Sequence, residues 1–314
     1  MNRFVENIAE DDNIDSKNLD KTNSFLKGTP KNEFINSIVK MQEKNVLTKY
    51  RDNTNKTNSY DCTNLEDEKN NEGIKKALET SGTIKNVDLR GFDPDFSKSL
   101  YDAVTDAKKD FPDLRISYCG TIQNQVQGIK ETISKEYEYE LRSLNGNKYS
   151  DKLYKQIADN YADDMIKEFG LDEIDGVFAW SLNMPNGKYK EYNGIAINEC
   201  FASDNDKFND HKTKEVQAKH KPVGCDTSRA TVDHELGHEI DRLVDARNDT
   251  YINNLYNEMK ENGNSREVLS EYSETSVKEF VAEAYSEYRN NPKPRDYSLK
   301  VYERLVYLYS QRRS

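Results

Sequence analysis

The sequence predicts an α+β domain over residues 85–314, preceded by a largely disordered segment at residues 1–80. Two observations lead to this prediction. The N-terminal segment is rich in Asn, Asp, Lys and Ser, whereas the chain beyond residue 85 alternates short strand-like runs with longer amphipathic helical patterns. Hydrophobic residues make up only 34% of the 314 residues, so part of the chain cannot bury a core.

The elements of the domain follow from local patterns, in chain order. Helical periodicity predicts helices at 96–111, 149–169 and about 297–309, and β-prone runs predict strands at 114–119, 176–182 and 194–200. The pair Asn186 and Gly187, between the last two strands, is typical of a hairpin turn. The polar stretch 203–221 is predicted to be a loop, and no internal repeat is evident.

The most informative pattern is His-Glu-x-x-His, which uses two of the four histidines, His234 and His238. Four residues are slightly more than one helical turn, so both imidazoles project from one face and can bind one zinc ion. Glu235 lies on the same turn, from which it can take a proton from a metal-bound water. The helix is predicted by a core-facing apolar stripe and by three candidate N-cap residues. The stripe consists of Val232, Leu236, Ile240 and Val244, and the candidate caps are Asp226, Thr227 and Ser228.

A catalytic zinc needs a third protein ligand. An arrangement with glycine at 241 and histidine at 244 is excluded, because the chain has Asp241 and Val244. His211 and His220 are either ligands or solvated loop histidines. On a predicted helix at 278–288, Glu279 and Glu283 lie four residues apart beside an apolar face. They are either solvent-facing glutamates or, as we favour, a metal ligand (Glu279) and a carboxylate that orients a ligand histidine (Glu283).

These residues carry a family resemblance. The strings His234-Glu-Leu-Gly-His-Glu-Ile-Asp241 and Leu269-Ser-Glu-Tyr-Ser-Glu-Thr-Ser-Val-Lys-Glu-Phe-Val-Ala-Glu-Ala284 resemble the gluzincin catalytic domains of the lethal-factor type. They are also similar to metallopeptidase domains at the end of some phage minor head proteins. The second likeness extends upstream through Asp88-Leu-Arg-Gly-Phe-Asp-Pro94, Gly194-Ile-Ala-Ile-Asn198 and Pro222-Val-Gly-Cys-Asp226, so it covers roughly residues 85–314.

The resemblance implies a zincin-like fold, in which a small sheet packs on the active-site helix and the C-terminal part is helical. It implies a zinc peptidase with one Zn²⁺ bound by His234, His238 and Glu279, and with Glu235 as the base. Tyr272, seven residues before the ligand glutamate, would donate a hydrogen bond to the oxyanion or protonate the leaving amine. Without that spacing, Tyr272 would be interpreted as a packing residue, because the chain has 20 tyrosines.

Two further interpretations stay open at this stage. The resemblance places the strand Gly194, Ile195, Ala196, Ile197 and Asn198 at a sheet edge, where it would pair with an extended substrate; the alternative is a strand in the sheet core. Asp241, two turns after His234, is either a partner that orients a ligand or one half of a helix-end salt bridge.

Composition and charge limit the classes of partner and the location that the sequence predicts. A net charge of −11 disfavours nucleic acid, and neither a secretory signal nor a membrane helix is evident, so a cytoplasmic protein is expected. The four cysteines (Cys62, Cys119, Cys200 and Cys225) lack metal-type spacing and are expected to be free thiols. Cys225, just before the motif helix, is either an incidental thiol or one whose thiolate is favoured.

The leading functional hypothesis is an endopeptidase that acts on a protein substrate, and there are two alternatives. One is a phage structural or assembly protein that carries the domain; the other is a delivered toxin or effector. In both, the N-terminal segment would be a tether, tag or docking site for a phage or mobile-element partner, and its apolar cluster at 34–41 fits a short amphipathic helix.

Overall fold

The computed structural model describes residues 67–146, 148–174, 176–184 and 188–312. Most of the predicted disordered segment, including the cluster at 34–41, lies outside these residues. The described chain is α+β and mostly helical, with one small mixed sheet, which confirms the predicted fold class. No helix in the described ranges combines the length and apolar character needed to cross a bilayer.

The helices and strands are numbered here in chain order. The helices are α1 Asp67–Thr80, α2 Pro94–Asp110, α3 Ile122–Asn145, α4 Asp151–Glu168, α5 Glu199–Ala202, α6 Asn205–Gln217, α7 Ser228–Val244, α8 Thr250–Asn262, α9 Ser265–Val268, α10 Val277–Asn290 and α11 Asp296–Arg312. The strands are β1 Ile84–Val87, β2 Ile116–Thr121, β3 Ala179–Leu182 and β4 Gly194–Ile197. Short 3₁₀ turns occur at Lys190–Tyr192, Ala246–Asn248 and Tyr272–Glu274.

The sheet has the strand order β1-β2-β4-β3. Strands β1, β2 and β4 are parallel, and β3 runs antiparallel to β4 at the edge. Gly194 begins β4 with φ 138°, and a Cβ atom built there would lie 2.2 Å from the carbonyl oxygen of Tyr118. Only glycine therefore allows β4 to pair closely with β2 at this point.

The main core lies between one face of the sheet and the helices α2, α7, α10 and α11. It joins Ile195 and Ile197 of β4 to buried side chains of these helices, such as Phe96, Phe280 and Val301. The predicted stripe on α7 is buried in this core, and its members are Val232, Leu236, Ile240 and Val244. The metal-motif helix is thus held rigidly against the sheet by apolar burial.

The predicted loop at 203–221 is wrong, because most of it is α6. Asp204 caps this helix by accepting a hydrogen bond from the Lys207 backbone N–H at 3.0 Å. Two of its three buried residues are charged: Lys212 Nζ lies 2.7 Å from Glu215 Oε2. A helix that buries an ion pair instead of apolar side chains lacks the hydrophobic period that identifies helices in a sequence.

The helical structure extends upstream of the predicted domain start at residue 85. Helix α1 occupies 67–80, and Leu78 enters the core while the buried Asn71 side chain donates to the carbonyl oxygen of Phe92 at 2.8 Å. Helix α3, which the sequence analysis left unassigned, follows β2 without a loop. Thr121 ends the strand and caps the helix by accepting from the Asn124 backbone N–H.

Candidate metal centre

Helix α7 carries the two histidines of the motif in its buried middle. It begins after Thr227, whose side-chain oxygen accepts from the Ala230 backbone N–H at 3.2 Å, so Thr227 is the N-cap among the three candidates. It ends at Val244, and the C-cap residue Asp245 adopts a left-handed conformation with φ 56°. Both ends of the helix are therefore defined, and His234 and His238 lie on a helix of fixed length and position.

Helix α10 crosses α7 at an unusually close point. A Cβ atom built on Gly237 would lie 2.7 Å from the Cα atom of Ala282, closer than two such carbons can approach. Glycine inside a helix costs about 1 kcal/mol relative to alanine, and here the close crossing requires it. At its N-terminus, α10 is capped by Ser276, which accepts from the Glu279 backbone N–H. The crossing brings Glu279 to the two histidines.

Three side chains meet between these helices. Nε2 of His234 and Nε2 of His238 lie 3.2 and 3.4 Å from the same Glu279 oxygen, Oε2, and the imidazole rings are nearly perpendicular at 89°. All three candidate ligand atoms lie within 4.8 Å of one another, and they form the one such group in the described residues. Tetrahedral zinc, with bonds of about 2.0–2.2 Å, separates its ligands by about 3.3 Å. The donor set and its spacing therefore fit one zinc ion.

The charges around His234 favour a cation at this position. Burial and Lys221 act to lower the pKa of His234, but hydrogen bonds to Glu279 and Glu283 raise it to about 9. Burial likewise opposes ionisation of Glu279, yet His238 and His234 hold the pKa of its carboxyl well below the usual range. The site therefore favours a positive charge, which a proton on His234 supplies when no metal is bound and which a dication bound by the same groups would supply instead.

Glu283 lies behind His234, as the sequence analysis expected. Its Oε1 is 2.8 Å from His234 Nδ1 and 2.8 Å from Lys221 Nζ, and its Oε2 accepts from Ser270 Oγ at 2.8 Å. Although burial opposes the charged form, Lys221 and His234 lower the pKa of Glu283 to about 2. An ionised carboxylate on Nδ1 leaves Nε2 of His234 directed at the cluster.

Glu235 and Tyr272 lie near the cluster on two different elements. Glu235 is buried on α7 next to His234, and this burial raises the pKa of its carboxyl, although both histidines act against the shift. Tyr272 lies on the 3₁₀ turn that precedes α10, with its ring centroid 6.0 Å from that of His234. The structure thus brings together six predicted residues from three separate segments.

The remaining histidines do not join this group. His211 lies on α6, and its ring centroid is 4.8 Å from that of Phe178. His220 lies beside Tyr272, with ring centroids 5.5 Å apart, and its Nδ1 is 3.5 Å from a carboxylate oxygen of Glu271. Of the alternatives for the third ligand, the described geometry favours Glu279.

Asp241 is part of a helix-end salt bridge. Its Oδ1 accepts from the Arg247 backbone N–H at 2.7 Å, and its Oδ2 lies 2.5 Å from the Arg247 guanidinium. Asp241 therefore fastens the end of α7 to the turn that follows. Of the two interpretations given above, the structure supports the salt bridge.

Of the two interpretations of residues 194–198, the structure supports the strand in the sheet core over the edge strand. Residues Gly194, Ile195, Ala196 and Ile197 form β4, which pairs with β2 on one side and with β3 on the other. Asn198 ends the strand and caps α5. Because both sides of β4 already carry hydrogen-bonded neighbours, it cannot accept a further strand; among the described residues, β3 is the edge strand next to α7.

Three residues that shape the candidate metal centre were not identified from the sequence: Lys221, Ser270 and Gly237. Lys221 and Ser270 come from irregular segments, where no periodicity indicates which side chains meet. Gly237 gave a detectable signal, since glycine in the middle of a helical pattern often marks a close approach. Comparison with protein-family models, curated proteins and solved structures gives no match, so the geometry itself carries the interpretation.

Cys225 does not have a favoured thiolate. Burial raises the pKa of its thiol well above the ordinary value, and Sγ contacts Ser286 Oγ at 3.3 Å. Cys119 and Cys225 are buried and Cys200 is exposed. Cys62 lies outside the described residues.

Proposed function

We propose that the protein is a zinc-dependent endopeptidase with a zincin-like domain of the gluzincin type. The observation that carries the proposal is the meeting of His234, His238 and Glu279 at ligand spacing, with Glu235 on the same helix. Two imidazoles and one carboxylate are a ligand set of catalytic zinc, in which a fourth position is left for water or substrate.

The chemistry divides between the ion and the side chains. Zinc, when bound, supplies Lewis acidity that acidifies water and polarises the scissile carbonyl. Glu235 accepts the proton of the attacking water and passes it to the leaving nitrogen, a task that suits a buried carboxyl whose pKa is raised. Tyr272 donates a hydrogen bond to the developing oxyanion or a proton to the leaving amine. Glu283 keeps His234 oriented throughout.

The substrate we propose is an extended peptide paired with β3. Asn198 N donates to Phe178 O at 2.9 Å, so by antiparallel alternation the backbone groups of Ala179 and Ser181 point away from β4. Ser181 Oγ donates to Glu239 Oε1 of α7 at 2.7 Å, which places this edge along the metal-motif helix. Backbone pairing gives affinity for peptides of many sequences, so specificity would come from neighbouring side chains.

The proposal is tested on the purified chain by zinc analysis and by profiling cleavage of a peptide library. We expect stoichiometric zinc and metal-dependent cleavage. Glu235→Gln is expected to keep zinc and to lose about 10²–10⁴-fold in turnover. Glu303→Gln, an exposed glutamate on α11, is the matched control and leaves both unchanged.

Two results would contradict the proposal in different ways. If Glu235→Gln loses zinc while its fold is intact, Glu235 has a metal-binding role and not the role of a base. If no peptide or protein is cleaved in a zinc-dependent manner, the peptidase itself is rejected. The predicted links to a phage or mobile-element partner, or to delivery as a toxin, stay predictions.

A further inference from the structure

A buried ammonium group connects the carboxylate behind His234 with the ring of Tyr272. Lys221 lies between α6 and α7, with its side chain only 16% exposed. Its Nζ is 2.8 Å from Glu283 Oε1 and 3.7 Å from the centroid of the Tyr272 ring. Burying an ammonium group is costly unless it is paired, and here a carboxylate and an aromatic face take up its two sides.

Backbone hydrogen bonds connect the segment around Lys221 to the turn that carries Tyr272 and to helix α6. Tyr272 N donates to His220 O at 3.3 Å, and Glu271 N donates to Lys219 O at 3.0 Å, so the segment is bonded to the turn that carries Tyr272. On the other side, His220 N donates to Glu215 O of α6 at 2.9 Å. Lys221 therefore has a defined position relative to Tyr272, unlike a surface lysine that samples many rotamers.

The neighbouring Lys219 shows the contrast. Its side chain is 52% exposed and pairs with Glu267 at the surface. Such an exposed pair is worth little, because both groups are solvated in either state. Lys219 and Lys221 thus belong to the same short segment but differ in burial and in what they contact, which makes Lys219 a matched control.

Lys221 also helps to neutralise the negative charge of the buried carboxylates in the candidate metal centre. Three buried carboxylates, Glu235, Glu279 and Glu283, surround the two imidazoles. A dication alone leaves one of these charges uncompensated, and Lys221 supplies the missing positive charge at Glu283. Because Glu283 also accepts from His234 and Ser270, it keeps two donors even without the lysine.

We propose that Lys221 is a positioning residue for Tyr272: its ammonium group, anchored by Glu283, fixes the tyrosine ring beside the metal cluster and draws electron density from its face. This inference rests on the proposed function. A cation on the face of a phenol ring withdraws electron density from the ring, so the hydroxyl becomes a stronger hydrogen-bond donor to an oxyanion. Lys221 acts through Tyr272 and does not touch the reacting atoms.

The test is a double-mutant cycle of Lys221→Met and Tyr272→Phe in the full-length zinc-loaded protein. Lys221→Met alone is expected to lower kcat about tenfold, with KM within about twofold of the wild type. In the Tyr272→Phe background, which lacks the hydroxyl, the same substitution should change kcat by less than about twofold. Lys219→Met should leave kcat unchanged in both backgrounds.

Zinc affinity, measured by competition with a chelator, provides a readout that does not depend on activity. Lys221→Met is expected to bind zinc within about threefold of the wild type, because Glu283 retains two donors, whereas Glu283→Gln should weaken binding about 10–100-fold. If Lys221→Met does not fold, Lys221→Gln, which also lacks the charge, replaces it in the cycle with the same expected result, and Lys221→Arg tests rescue by a conservative variant. The guanidinium can meet both the carboxylate and the ring, so we expect most of kcat to remain.

Three outcomes would overturn the inference. One is a loss of kcat of equal size in both tyrosine backgrounds, for either lysine variant. Another is a fall in zinc affinity of about tenfold or more in Lys221→Met, which would assign the lysine to the metal through Glu283. Absence of cleavage by the wild type would remove the proposed function and this inference together, whereas multiplicative effects in an active enzyme remove the inference alone.

Discussion

Gly237→Ala adds one methyl group at the point where α7 and α10 cross. The added Cβ would lie 2.7 Å from the Cα atom of Ala282, whereas ordinary contacts between such atoms are 3.4–4 Å. The helices must therefore separate by about 1 Å, since a close-packed interior cannot absorb the overlap elsewhere. Glu279 lies one turn before Ala282 on the same helix and moves with it.

The expected effect on metal binding is much larger than the effect on folding. Metal sites tolerate errors of about 0.2 Å in ligand position, so a shift of about 1 Å should weaken zinc binding at least about 100-fold. The free energy of unfolding of the zinc-free protein gains about 1 kcal/mol from helix propensity. It loses about 1–3 kcal/mol from overpacking, so the net change stays below about 2 kcal/mol.

Chelator competition measures the zinc affinity, and urea denaturation of the zinc-free protein measures the free energy of unfolding. Gly73→Ala is the matched control, because Gly73 lies on α1 with no atom within 4 Å of a built Cβ. That control should stabilise the fold by about 0.5–1 kcal/mol and leave zinc affinity unchanged. If Gly237→Ala binds zinc as tightly as the wild type, the helix crossing does not set the spacing of the ligands.

Three further predictions concern acid stability, thiol reactivity and substrate binding. Hydrogen bonds from Lys109 and Arg229 lower the pKa of Asp106 from 3.8 to about 2, so its stabilising effect is present above about pH 4 and is lost as the pH falls towards 2. Asp106→Asn should lower the free energy of unfolding by about 1 kcal/mol at pH 7 and by nothing near pH 2; a pH-independent difference in denaturation experiments would refute this. Iodoacetamide followed by peptide mapping should modify Cys200 in the native protein and the two buried thiols only after unfolding, and early labelling of either buried thiol would be inconsistent with the packing. Substrate peptides N-methylated at single amides should lose affinity with a period of two residues if they pair with β3, and a uniform loss along the peptide would argue against strand addition.

The elements with strong periodicity could be predicted from the sequence. The predicted helices at 96–111 and 149–169 correspond to Pro94–Asp110 and Asp151–Glu168, and the apolar stripe of α7 lies in the core. The candidate ligands could be found for the same reason, because residues four apart on a helix share a face. Local spacing thus defined each half of the candidate metal centre separately.

Features that depend on distant partners could not be predicted. The run Gly194–Ile197 is buried throughout, and such a run has the same appearance at a sheet edge and in the sheet centre. Helix α6 was missed because Lys212 and Glu215 satisfy each other inside the protein, which no hydrophobic pattern reveals. Lys221 reaches Glu283 from a segment 62 positions away in the chain, so only the folded structure shows the contact.

The edge strand β3 lies far upstream of the ligand-bearing helices. It occupies Ala179–Leu182, whereas the candidate metal ligands lie between His234 and Glu279. Under the proposed function, peptide recognition and hydrolysis are therefore encoded in separate stretches of the chain. We expect that substitutions in β3 and its flanking turns would alter which peptides the proposed enzyme accepts while the candidate metal ligands stay intact, so target choice could diverge by sequence change within one short window.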